Sequence, residues 1–151
     1  MGPTRLAATW QRSEAHWIRR RLQSGSAGNG ETMSETTVLI DARNVQRSQW
    51  PNLSDEELVE RTRDWAERND KRLVLVFDGK APGGIVGATE LDERTTLVGS
   101  NAESADDWLI REAPQYAGAW LVTSDRALRA AAGGQAERVI GGGGFLRELG
   151  A

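Results

Sequence analysis

Three apolar runs in this chain each stop at an aspartate: VLID ending at Asp41, LVLVFD ending at Asp78 and AWLVTSD ending at Asp125. The runs do not alternate apolar with polar residues, which is the pattern of strands buried on both faces. Segments of helical periodicity separate them, joined by short connections. That order of elements predicts an α/β fold, a mainly parallel sheet inside a three-layer α/β/α sandwich. In such sheets ligands sit at the carboxyl ends of the strands, so acids placed there face one region.

Composition narrows the chemistry. At 151 residues the chain fits one domain with a single sizeable core. It has no cysteine, which excludes disulfides, thiolate metal sites and a cysteine nucleophile. Its one histidine, His16, precedes the region expected to fold, so a Ser-His-Asp triad or a histidine-rich metal site is not expected. The chemistry falls to carboxylates, hydroxyls, amides, arginine or a metal. A net charge of -3 argues against coating nucleic acid through global charge. No stretch approaches the roughly 18 apolar residues of a membrane span and no secretory signal is recognisable, so a cytoplasmic protein is expected.

Residues 1–34 read as a flexible or accessory extension, and residues 35–151 as the folded domain. The extension carries arginines at 19–21, then a Ser/Gly/Asn-rich run, while Trp10, Trp17, Ile18 and Leu22 fit one face of a short helix. Met33 opens MSETTVLID as compact α/β domains often open, so the alternative to an extension is translation from Met33. That start removes five arginines and two glutamates and leaves a more acidic domain.

Along the domain, residues 36–40 read as a strand and residues 42–53 as a loop. Ser54-Asp55-Glu56-Glu57 is a capping box, and Leu58, Thr62, Trp65 and Ala66 continue at helical spacing to about residue 68. Residues 72–77 form the next strand, and GKAPGGIVGA a glycine-rich flexible loop. A short strand follows at 95–98. Ser100 and Glu103 read as a capping box opening a helix that Pro114 ends. A strand at 119–123, a helix to 132, a strand at 138–140 and the helix GGGGFLREL complete the chain.

Each strand-end aspartate has a plain reading as a turn or cap residue. Together they do not, because several carboxylates sharing a site repel one another unless a cation neutralises them. The cation expected there is Mg²⁺ or Mn²⁺, hard ions that take oxygen ligands. A fourth acid comes from the helix after the third strand. At about 100° per residue, Ala102, Ala105, Leu109 and Ala113 define its buried stripe, and Asp106 falls inside that stripe. Asp107 is turned away and is the weaker ligand candidate, and Glu103 ranks below both.

Asn44 fits either a turn or an amide that orients Asp41 or a phosphate. Thr123 or Ser124 is expected to cap the helix starting near Asp125, with Ser124 also a candidate RNA contact. Arg43, Arg47, Lys80, Arg126 and Arg129 lie beside the acid-bearing strand ends and suit phosphate contacts. Trp50 and Trp108 could stack on bases, although packing is the commoner fate of a tryptophan. Lys80 is followed by alanine without the glycine spacing of a P-loop, and Gly141 to Gly144 is a weak phosphate cradle.

VLIDARNVQRSQWPNL, LVLVFDG, ESADDWLI, LVTSDRALR and VIGGGGFLREL, in this order, resemble the YacP-like branch of NYN domains, relatives of PIN-domain nucleases. The resemblance covers about residues 36–149. It implies a PIN-like sandwich and divalent-metal-dependent endoribonuclease activity, with RNA as partner and association with ribosomes as an option. The family's acids and asparagine fall on Asp41, Asn44, Asp78, Asp106, Asp107 and Asp125, with its Ser-Asp pair on Ser124-Asp125. The chain departs at 42–43, where the family has glycine and an aromatic and this sequence has Ala-Arg. The expected function is hydrolysis of RNA phosphodiesters. Its alternatives are a non-catalytic RNA- or ribosome-binding module and a Mg-dependent phosphatase. The phosphatase reading lacks the Asp-x-Asp of haloacid-dehalogenase-like enzymes, since Arg43 stands two places after Asp41.

Overall fold

The apolar runs become the middle of a six-stranded sheet. The computed structural model describes residues 36–116 and 118–150; the expectations for residues 1–34 lie outside the described residues. Strand β1 (Thr36–Asp41) leads into helix α1 (Ala42–Arg47) and then α2 (Asp55–Asn69). Strands β2 (Lys71–Phe77), β3 (Gly87–Glu90) and β4 (Thr95–Gly99) follow, then helix α3 (Ala105–Glu112) and a 3-10 turn at Ala113–Tyr116. Strand β5 (Trp120–Val122), helix α4 (Arg126–Ala132), strand β6 (Arg138–Ile140) and helix α5 (Gly142–Gly150) complete the fold. The strand order is β3-β4-β2-β1-β5-β6, parallel throughout except for β3, which runs antiparallel to β4.

Successive strand residues point to opposite faces, and here both faces are apolar. On β1, Val38 and Ile40 join a core with Leu58 and Trp65 of α2 and Phe145 of α5, whereas Leu39 joins a second core with Leu109 of α3 and Leu128 of α4. Leu73, Leu75 and Phe77 of β2 take the first side, and Val74 and Val76 the second. Each fully buried side chain of this kind contributes about 1.5–3 kcal/mol. The three-layer sandwich is therefore the only way to cover strands this apolar on both sides. No helix among the described residues is long and apolar enough to cross a membrane.

Several local expectations change. Residues 42–47, expected as loop, form α1, because Ala42 and Val45 bury against the sheet and Gln46 is buried beside them. Six residues, fewer than two turns, are too short to show a period. The glycine-rich loop ends earlier than expected: Gly87 already begins β3, a strand paired on one edge only. Helix α3 is capped by Ser104, whose Oγ accepts from the Asp107 amide, and not by a box at Ser100 and Glu103. Asn101 at φ 64° breaks helical continuity there, and Ala102 is exposed instead of lying on the buried stripe. The expected box at Ser54 and Glu57 forms, with both reciprocal bonds at 3.1 Å.

Gly99 marks where β4 meets the loop after β2. A Cβ there would stand 2.1 Å from the Ile85 carbonyl oxygen and 2.8 Å from that of Gly79. Both obstacles are backbone, so the loop carrying Asp78 would have to move. Gly99→Ala is expected to cost about 1–3 kcal/mol in urea denaturation, as overpacked positions do. An unchanged midpoint would mean that the loop yields freely.

Candidate active site

The connections leaving β1 and β5 go to opposite faces of the sheet, α1 to one and α4 to the other. Their divergence opens a crevice at the carboxyl ends of adjacent parallel strands, where open α/β sheets bind ligands. Asp41 ends β1 at this crevice, Asp78 follows β2 by one residue, Asp125 caps α4 after β5, and Asp106 sits in the first turn of α3.

Three of these acids have one oxygen engaged in architecture. The Thr123 hydroxyl donates to Asp41 Oδ2 at 3.0 Å. Asp78 Oδ1 accepts from the Ala105 amide at 2.7 Å, tying the end of β2 to the start of α3. Asp125 Oδ1 accepts from the Leu128 amide at 2.9 Å, so Asp125 is the cap of α4 in place of Thr123 or Ser124. Thr123 has a different part, since its Oγ1 also accepts from the Asp125 amide at 3.1 Å and thereby links two acids. Asp106 is half-buried, and its carboxylate accepts no hydrogen bond among the described residues.

The acids feel one another. Asp41 is 5% exposed, and its carboxyl is raised to about 6. Burial is the main cause; the Thr123 hydrogen bond pulls the other way, and repulsion from Asp106 and then Asp78 adds to the rise. Asp106 is also raised, by burial first, then by Asp125, Asp78 and Asp107. No lysine or arginine among the described residues lowers either group. Asp107 is exposed, on the far side of the α3 turn from the core. Among the described residues, no three acidic side chains stand close enough to cage an ion unaided. The crevice is an open ring of carboxylates.

Asn44 lies on α1 and acts across the crevice: its Oδ1 accepts from the Ser124 amide at 2.8 Å. Ser124 Oγ in turn accepts from the Gly142 amide at 2.8 Å, at the start of α5. Gly142 must be glycine for this packing, because a Cβ would lie 2.3 Å from Ser48 Oγ and 2.8 Å from Asn44 Oδ1. One latch thus joins α1, the β5–α4 turn and α5. The parts played by Thr123 and Gly142 are not legible in the sequence, where Thr123 reads as a strand end or helix cap and Gly142 as part of a weak phosphate cradle.

The basic candidates divide. The Arg43 guanidinium is committed to Asp55, at 3.0 Å, and to Gln46 Oε1, also at 3.0 Å. It lies 5.9 Å from the centre of the Phe77 ring, so it clamps α1 to the start of α2. Arg47, Lys80, Arg126 and Arg129 are exposed. Of the two tryptophans, Trp108 packs against the second core and Trp50 is 88% exposed.

No family model matches this chain, and no curated protein matches it. Its fold is similar to the crystal structure of a mutant of Rae1 (YacP) from Bacillus subtilis, with 21% sequence identity, a TM-score of 0.57, and coverage of 76% of this chain and 74% of that one. At that identity the likeness shows a shared YacP-like fold.

Proposed function

We propose that this protein is a divalent-metal-dependent endoribonuclease that hydrolyses RNA phosphodiester bonds. The observation that carries the reading is the raised proton affinity of Asp41, at the carboxyl end of β1, and of Asp106, in the first turn of α3, with no basic side chain among the described residues lowering either. Gathering carboxylates around the buried Asp41 is costly unless a cation enters the site. The resemblance to YacP-like NYN domains supports RNA as the substrate, and the YacP-like fold agrees with it. Association with ribosomes and a cytoplasmic location belong to the same proposal, as does a folded unit spanning residues 35–151.

The residues fit Mg²⁺ or Mn²⁺. Every donor is an oxygen, as hard divalent ions require, and Mg²⁺ in particular keeps several waters and needs only one or two carboxylates directly. An open ring of acids suits that better than a closed cage. Asp41, Asp78, Asp106 and Asp125 would hold the ion directly or through its waters, with Asp107 a more distant contributor. When bound, the ion would neutralise phosphate charge and lower the pKa of water in the crevice.

The chain's own groups set the geometry. Thr123 fixes the Asp41 carboxylate and ties it to Asp125. With Oδ1 of Asn44 held by Ser124, its Nδ2 amino group is the donor left to orient a phosphate. Arg47, Lys80 and Arg126 supply phosphate contacts at the rim, whereas Arg43 and Ser124 serve architecture. With no histidine in residues 35–151, water takes the proton.

The test is cleavage of single-stranded and structured RNAs by purified protein with Mg²⁺, Mn²⁺ or excess chelator. The expected result is cleavage with either ion and none with chelator. RNA binding without cleavage under every condition would replace the nuclease with a binding module, and release of phosphate from a small phosphomonoester alone would replace it with a phosphatase.

A further inference from the structure

Trp50 is the most exposed large apolar side chain among the described residues, at 88%, and nothing in the proposed chemistry uses it. Its setting is ordered on both sides. Before it, Ser48 Oγ donates to the Asn44 carbonyl at 2.7 Å. After it, the buried Leu53 is held by Gln46, whose Nε2 donates to the Leu53 carbonyl at 3.1 Å while Gln46 accepts from the Leu53 amide. The segment between these anchors holds the indole outward instead of folding it onto the apolar core nearby.

The position adjoins the latch. Ser48 abuts Gly142, which with Asn44 and Ser124 forms the latch beside Asp41 and Asp125. Two residues span at most about 7 Å, so the Trp50 backbone stays close to the Ser48 end of this latch. Arg47, exposed, lies on the same segment. An anchored aromatic beside a cation is the combination that binds single-stranded nucleic acid, the ring stacking on a base and the cation meeting the backbone. Anchoring also lowers the conformational entropy lost on binding.

We infer that Trp50 is a stacking platform for an unpaired nucleobase flanking the cleaved phosphodiester, with Arg47 on the adjacent phosphate. The inference rests on the nuclease reading and narrows its substrate to RNA that is single-stranded at the site. Trp50 is a positioning residue, apart from the reacting atoms. Packing its indole onto a protein partner is the competing use.

The experiment compares wild type, Trp50→Ala and Trp50→Phe on a short oligoadenylate with Mn²⁺. Stacking of one base is worth about 5- to 150-fold in affinity. Trp50→Ala is expected to raise KM by that factor with kcat within about twofold, and Trp50→Phe to restore most of the loss. Tm should not move, because the side chain touches little. An unchanged KM overturns the inference, as does a joint fall of kcat and Tm, or a wild-type dimer that Trp50→Ala dissolves in sedimentation. If wild type does not cleave, the nuclease reading fails separately, and oligoadenylate titration in chelator still decides the stack. Fluorescence quenching present in wild type and absent in Trp50→Ala upholds it; equal quenching overturns it. An oligoadenylate that neither binds nor is cleaved overturns both.

Discussion

Asp41→Asn is expected to abolish cleavage and at the same time to make the protein more stable at neutral pH. Removing a charged group on which transition-state stabilisation depends lowers kcat by about 10²–10³-fold or more. Stability moves the other way because the carboxyl is raised to about 6 in the folded protein, from 3.8. Below pH 3.8 both folded and unfolded chains hold the proton, and ionisation costs nothing. Between 3.8 and about 6 the unfolded chain releases it while the folded chain keeps it, so stability falls as pH rises. Above about 6 the full penalty applies, on the order of 3 kcal/mol. Asparagine carries no such penalty and can still accept from Thr123 through its Oδ1. The difference between variant and wild type in urea denaturation should therefore grow from pH 4 to 6 and then level off. Mn²⁺ should recover stability in wild type, by about 2.7 kcal/mol at a hundred times its Kd, and do much less in the variant. A variant less stable than wild type at pH 7 would mean that Asp41 is a structural carboxylate, satisfied by Thr123, and would remove the main support for a cation.

What was legible in the sequence follows from what leaves a local mark. Strands β1 and β2 are buried on both faces, so their burial is written as unbroken apolar runs, and the aspartates that end them are conspicuous by contrast. Asp106 was legible because helical geometry places it on the buried side of α3, and it is half-buried there, although the same stripe misplaced Ala102, which lies before the true cap. Helix α1 and strand β3 left no mark: the first is fewer than two turns long and stabilised by burying Ala42 and Val45, the second a short edge strand begun by a glycine. The partners of Arg43, Thr123 and Gly142 were illegible for a different reason. Thr123 bonds Asp41 across 82 positions of sequence, and a bond of that span exists only once β1 and β5 are adjacent. Arg43 is the clearest case: two places after Asp41 it reads as a phosphate ligand, yet the Asp55 carboxylate takes it.

Core and latch can be separated by a pair of substitutions in α5. Phe145 is fully buried and meets Trp65 edge-on at 5.1 Å between ring centres. Truncating such a ring costs about 3–5 kcal/mol, a large part of the 5–15 kcal/mol that holds a domain together. Phe145→Ala is therefore expected to lower the denaturation midpoint sharply, while the molecules that remain folded keep their acids, and activity per folded molecule stays within a few-fold. Gly142→Ala should do the reverse. Its new methyl displaces Ser48 Oγ, a short side chain that can rotate away, and then meets Asn44 Oδ1, which must release the Ser124 amide. The stability cost is about 1–3 kcal/mol, because the obstacles are mostly side-chain atoms. The functional cost is larger, since Asn44 loses the bond that aims its amino group and the β5–α4 turn carrying Asp125 loses its tie to α1. Specific activity measured at equal folded fraction, from the same denaturation curves, distinguishes the two. If Gly142→Ala keeps full activity at equal folded fraction, the latch is packing only, and Asn44 does not need its hold on Ser124 to work.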